Sequence, residues 1–130
     1  MRVELIDART LPVILDWWKL RGLGEVEEGI LPPVGYVASD DEGPAAAAWL
    51  YQPVGCQVAI LDWLVTRPWM GYMASRAACR AVFDAIAARA DSDGASRLFA
   101  TVERGGMLKE ASACGFHIAA ERMTHLVKVL

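Results

Sequence analysis

The sequence predicts an α+β domain in which helices pack on a mixed β-sheet. Three observations lead there. Helix-like and strand-like segments alternate, but a hairpin interrupts them, which argues against a purely parallel α/β sheet. The most apolar stretch, residues 58–65, is continuous except for Asp62, as expected of a central strand covered on both faces. Two further stretches carry apolar residues at helical spacing: Leu11, Ile14, Leu15 and Trp18, then Ala78, Ala81, Val82, Ala85 and Ile86.

The elements follow in order. Residues 3–6 read as a short strand. Residues 10–21 read as a helix, with Thr10 as N-cap, Pro12 tolerated in the first turn and Gly22 as the stop. A Gly/Glu/Pro loop covers residues 22–33. Residues 34–39 and 44–51 form the hairpin, joined by Asp40-Asp41-Glu42-Gly43. Pro44 can open the second strand, because a first position needs no ladder donor. Ala45 to Ala48 favour helix by propensity, but the hairpin context and Trp49-Leu50-Tyr51 favour strand. The apolar strand 58–65 ends at Arg67-Pro68. A long helix is expected over 75–90, with Arg80 and Asp84 placed to pair at i, i+4. A strand at 98–103, a short helix at 107–114 capped by Gly115, and a closing strand at 122–130 complete the chain.

The 130 residues suit one domain, 1–130, large enough to bury a core. The chain is 55% hydrophobic and 22% charged, the balance of a globular protein. Its net charge of −3 argues against a broad nucleic-acid-binding surface. No apolar run is long enough to span a membrane, and acids inside the first apolar stretch speak against a signal peptide. Cys56, Cys79 and Cys114 are far apart and odd in number, so they read as reduced thiols of a cytoplasmic protein, with no metal cluster. Five tryptophans in so short a chain supply aromatic surface for a homodimer.

The informative unit is a strand, a turn and a helix start, covering residues 58–76. A helix N-terminus offers unpaired N–H groups and partial positive charge, which suit a phosphate. Arg67, Arg76 and Arg80 add cationic side chains, and Gly71 lets a ligand approach the backbone closely. The same pattern suits any anion-binding helix start, or an ordinary connection with solvated arginines. Walker and GxGxxG motifs are absent.

This turn and the element order resemble the GNAT family of N-acetyltransferases over nearly the whole chain. A hairpin precedes a long apolar strand, which runs into a phosphate-cradling turn and a helix. A later strand and short helix end in Gly115-Phe116. The wording of Trp17-Trp18-Lys19-Leu20-Arg21-Gly22, Leu31-Pro32-Pro33-Val34-Gly35, Ala47-Ala48-Trp49-Leu50-Tyr51 and Met123-Thr124-His125-Leu126-Val127-Lys128 is similar to small phage-encoded members, which would act in the cytoplasm of a bacterial host. The resemblance implies a largely antiparallel sheet, splayed between its fourth and fifth strands, with acetyl-CoA in the splay. The pantetheine arm would pair with backbone at Leu64, Val65 and Thr66. The pyrophosphate would sit on amides of Met70, Gly71, Tyr72, Met73, Ala74, Ser75 and Arg76, with Arg67, Arg76 or Arg80 meeting phosphates.

The implied reaction is attack of a primary amine on the thioester, with no metal. The acceptor would be a small molecule, a protein or an amino-modified nucleobase. Asp62 and Glu103 are the acids placed to accept the amine's proton. Asp62 interrupts an apolar strand, where burial raises a carboxylate's pKa, but it also suits a partly wet face. Glu103 also fits plain exposure. Trp17 and the acidic loop at Glu25, Glu27 and Glu28 are candidate acceptor contacts, against the alternative of a solvated loop. Trp17 is also placed to lie over Arg21. His117 and His125 have no nucleophile partner at motif spacing. Ala111 stands where many members of the family place a general-acid tyrosine. The alternative is therefore a GNAT-fold binding or interaction protein, with or without bound CoA, that lacks catalysis.

Overall fold

A computed structural model describes residues 1–27, 29–103 and 105–130. The order is β1 (Arg2–Leu5), α1 (Leu11–Leu20), β2 (Val34–Asp40), β3 (Gly43–Tyr51), β4 (Val58–Thr66), α2 (Tyr72–Ser92), β5 (Arg97–Ala100) and α3 (Gly106–Ala113). The five strands form one sheet in sequence order. The first four pair antiparallel, and β5 joins β4 in parallel after the α2 crossover.

Alternation along β3 sorts its residues between two cores. Ala46, Ala48 and Leu50 join the cluster under α2, with Ala78, Cys79, Val82, Phe83 and Ile86. Ala47 and Trp49 join the cluster under α1, with Ile14, Trp17, Trp18 and Val65. The alanine run is therefore strand, as its hairpin context predicts. Its small side chains let α2 lie close to the sheet. Gly35, opposite Trp49 across β2 and β3, is needed for packing. A Cβ there would stand 2.6 Å from the Trp49 indole nitrogen.

Start and stop signals hold with local differences. Thr10 precedes α1, but its hydroxyl bonds Asp7 rather than capping the helix. Gly22 and Gly115 follow α1 and α3 with φ of 71° and 92°, as C-terminal glycines should. Helix α2 starts three residues before the expected Ser75, because extended Gly71 already serves as its N-cap. Strand β5 stops at Ala100, so residues 101–103 lie beyond it. The expected closing strand at 122–130 does not form. Those residues are exposed and carry no strand pairing, so strand composition alone did not bring them into the sheet.

The β4–β5 ladder runs only from Val58 opposite Arg97 to Leu61 opposite Ala100. Strand β4 continues to Thr66. Beyond Leu61 its β5-facing edge is open, which is the splay expected between the fourth and fifth strands. On the other side, Ala47 pairs with Val65 and Trp49 with Asp62, so Trp63 and Leu64 together oppose Ala48. That is a β-bulge, and Trp63 sits in it with φ of 59°.

Candidate functional site

The bulge is held from the α1 side. A non-glycine residue in the left-handed region is strained and persists where its surroundings hold it. The Trp63 indole N–H donates to the Tyr51 hydroxyl at 2.7 Å, and that hydroxyl donates to the Ile30 carbonyl at 3.1 Å. The ring also stands edge-on to Trp18 at 6.2 Å, and Trp18 packs on Trp49 at 5.7 Å. The Trp63 backbone N–H donates to Oδ1 of Asp62 at 2.7 Å. Asp62 is half-buried at the bulge, so its carboxylate keeps some access to water.

The end of β4 is pinned by Arg21, the residue just after α1. Its guanidinium donates to the Thr66 carbonyl at 2.8 and 3.1 Å, to the Thr66 hydroxyl at 2.7 Å and to the Arg67 carbonyl at 3.3 Å. Arg21 is thus spent on the turn and not on Trp17. The Arg67 side chain turns back to the hairpin. It donates to both Asp40 oxygens at 2.8 and 3.1 Å, to Glu42 at 3.0 Å and to the Pro44 carbonyl at 3.1 Å. The hydrogen bonds that Arg67 donates to Asp40 hold the Asp40 carboxyl below its usual range and push Arg67 up. Arg67 therefore fixes the turn with most of its donors.

After Pro68 comes Trp69, 86% exposed with φ of 61°, and then Gly71 and α2. The first α2 bond runs from Ser75 N–H to the Gly71 carbonyl at 2.9 Å. No side chain caps this helix, and its first turn holds no acid. The N–H groups of Tyr72, Met73 and Ala74 thus have no intrahelical partner, and all three residues are exposed.

Two hollows flank this helix start. An open groove of about 700 Å³ is lined by Trp17, Leu20, the Asp40–Glu42 turn, Arg67, Met70, Gly71 and Ala74. A cavity of about 270 Å³ lies between α2 and α3, lined by Tyr72, Ser75, Arg76, Cys79, Glu103, Gly106 and Glu110. The groove thus gathers Trp17, Arg67, Met70 and Gly71, and the cavity gathers Tyr72, Ser75, Arg76 and Glu103. Leu64, Val65 and Thr66 lie on the open stretch of β4. Asp62 and Glu27 line neither hollow. Glu27 is exposed in its loop, where Glu25 pairs with Lys19 at 3.3 Å. Glu28 lies outside the described residues.

Glu110 organises the cavity floor. Its side chain is 3% exposed and accepts hydrogen bonds from Arg76 and, at 2.9 Å, from Arg80. Arg80 therefore reaches across to α3 rather than along α2 to Asp84. The Arg76 guanidinium also lies over the Tyr72 ring at 5.4 Å and is 30% exposed. Burial pushes the Glu110 carboxyl up, but the bonds from Arg76 and Arg80 outweigh it. The net value lies below the ordinary 4.5.

A carboxyl depressed by folding contributes stability above its unfolded pKa and loses that contribution as pH falls through its folded pKa. Thermal unfolding of the wild type should therefore lose stability below about pH 4.5 more steeply than Glu110→Gln does. Equal acid slopes would remove Glu110 from this account.

Burial pushes both the Cys79 and Cys114 thiols up to about 11. Cys79 lines the cavity, where burial disfavours the thiolate that a nucleophile needs. Among the described residues, no group of three His, Cys, Asp or Glu is arranged to hold a metal. No helix among them is long and apolar enough to cross a membrane.

Sequence reasoning missed Arg21, Glu110 and the Trp63 bulge. Arg21 and Glu110 have partners 45 and 30 or more positions away in the chain, so no local pattern marks them. Asp62 breaking an apolar run was the one local sign of the bulge.

No family model and no curated protein matches this sequence. Solved structures do. A probable acetyltransferase superposes with TM-score 0.72 at 14% identity, over 100% of this chain and 99% of the other. An acetyltransferase of Trypanosoma brucei gives 0.71 at 19%, over 98% and 99%. An aminoglycoside N-acetyltransferase in complex with CoA gives 0.65 at 15%, over 98% and 100%. The chain has the GNAT acetyltransferase fold.

Proposed function

We propose that this chain transfers an acetyl group from acetyl-CoA to a primary amine. The observation that carries the reading is the open, bulged edge of β4 running into an uncapped α2 N-terminus. An extended amide-bearing chain such as pantetheine suits the β5-facing edge of β4 at Leu64, Val65 and Thr66, beyond the last β4–β5 pair. A pyrophosphate suits the amides from Met70 to Arg76, with helix charge behind them. Arg76 is the nearest partly exposed guanidinium, while Arg67 holds the turn. An amine acceptor suits the groove beside Trp17, where Asp41 and Glu42 favour a cation. Glu27, exposed in the loop after α1, is a further acidic candidate for the acceptor although it lines neither hollow.

In the reaction the amine nitrogen attacks the thioester carbonyl carbon. A C–N bond forms and the C–S bond breaks. The proton lost from nitrogen goes to Asp62 or Glu103, directly or through water, and the CoA thiolate takes a proton from solvent. Direct transfer is favoured over an acyl-enzyme, because burial disfavours the Cys79 thiolate. The test is release of CoA thiol from acetyl-CoA across a panel of primary amines. Asp62→Asn or Glu103→Gln should slow turnover by about 10²-fold or more if that residue is the base. Unchanged turnover in both variants would remove them from the mechanism.

A second reading has its own observation. Ala111 is buried on α3 and has no proton to give the leaving thiolate. A GNAT-fold CoA-binding protein without catalysis would bind acetyl-CoA and release no thiol with any amine.

A further inference from the structure

We infer that Glu110 competes with the phosphates of acetyl-CoA for Arg76, and so holds cofactor affinity below what the α2 start would give alone. This competition presupposes the acetyl-CoA reading and sets how tightly that site holds its ligand. The first turn of α2 carries no acid, so nothing there opposes an anion. The opposing charge comes from α3. The Glu110 side chain is 3% exposed and accepts from Arg76 Nε through Oε1 and from Arg80 Nε through Oε2. Two cations of α2 thus share one buried anion of α3.

That contact takes what a phosphate would need. A guanidinium grips an oxyanion best through two parallel N–H groups. With its Nε–H given to Glu110, Arg76 meets a phosphate through its Nη edge alone. The carboxylate also repels an incoming phosphate, and its burial leaves little water to screen that repulsion. Despite that burial, the arginine bonds hold the Glu110 carboxyl below its ordinary range, so it is an anion at neutral pH. Arg76 and Glu110 line the same cavity as Tyr72 and Ser75, beside the uncapped α2 amides.

The placement of Glu110 is built into the packing of α3. A Cβ at Gly106 would stand 3.0 Å from the Tyr72 ring, so α3 lies close against the first residue of α2. Arg80 makes the competition reversible. When a phosphate draws Arg76 away, Arg80 stays on the other carboxylate oxygen, and the buried charge is never left unpaired. With Arg76 as its only partner, Glu110 could not release it at so small a cost.

Titration calorimetry of acetyl-CoA on the full chain tests this with two variants. Glu110→Gln keeps the shape and removes the charge. Asp91→Asn, an exposed acid near the far end of α2, controls for net charge. Glu110→Gln should bind about tenfold more tightly than the wild type, and Asp91→Asn should match it. Equal or weaker binding by Glu110→Gln, or the same tightening in Asp91→Asn, overturns the competition while acetyl-CoA binding stands. No binding by any of the three overturns the acetyl-CoA reading and the competition with it. Carbon NMR of the wild type needs no variant. The Glu110 carboxyl resonance should shift on saturation with acetyl-CoA, because the buried group loses Arg76. A resonance that stays in place means that Arg76 never leaves, and overturns the competition even where Glu110→Gln fails to fold.

Discussion

Replacing Phe83 by alanine should cost about 3–5 kcal/mol of folding stability. Phe83 is fully buried in the middle of α2 and packs on Phe116 and on the cluster that includes the alanines of β3. Those alanines have no side-chain length with which to fill the space, so the cavity remains rather than collapsing. Domains of this kind are stable by only about 5–15 kcal/mol, so the loss is a large share of the total. Urea unfolding should show a lower midpoint with an unchanged slope. A loss near 1 kcal/mol would mean that α2 sits more loosely on the sheet than described.

Removing the Arg21 side chain should damage the site more than the fold. Arg21 bonds the Thr66 carbonyl, the Thr66 hydroxyl and the Arg67 carbonyl, and Thr66 is itself buried. Arg21→Ala leaves those acceptors without their donor, at a cost of about 1–3 kcal/mol. It also frees the turn that aims the α2 amides. Acetyl-CoA binding should weaken by about tenfold, or ~1.4 kcal/mol, beyond what Arg21→Lys causes. Lysine keeps the charge but lacks the fork that reaches three acceptors. Titration calorimetry of the two variants makes the comparison. Equal affinity in wild type and Arg21→Ala would show that the turn needs no pin.

Much of the fold was legible because local signals agreed with one another. Gly22 and Gly115 stopped their helices, the Asp40–Gly43 turn made the hairpin, and the apolar run became β4 beside the parallel β5. At Ala45–Ala48 helix propensity lost to hairpin pairing, because the alanines are needed as thin packing under α2. The features that escaped reading are non-local. Trp63 adopts a left-handed conformation with no glycine to announce it, held by Tyr51 and Trp18 from other elements. Arg67 and Arg80, read from charge alone as phosphate contacts, have carboxylate partners across the fold, and Arg76 shares Glu110 with Arg80. The closing segment has strand composition, but residues 122–130 pair with no strand, so composition alone misled there.

Of the candidate site, the backbone part was the more legible. Residues 64–66 and 70–76 fall on the open edge and the helix start because a strand, a Pro-containing turn and a helix follow directly in sequence. The acids were less so. Glu103 enters the cavity with Arg76, whereas Asp62 stands apart at the bulge.

Amide hydrogen exchange with and without acetyl-CoA tests the central claim most directly, because it reads the backbone groups that the account assigns to the cofactor. Saturating acetyl-CoA should slow exchange at residues 62–76 and add about 2.7 kcal/mol of stability at 100 times its Kd. The β2–β3 hairpin ladder should be unchanged. No protection at about millimolar acetyl-CoA, or protection that leaves residues 62–76 untouched, would contradict the account.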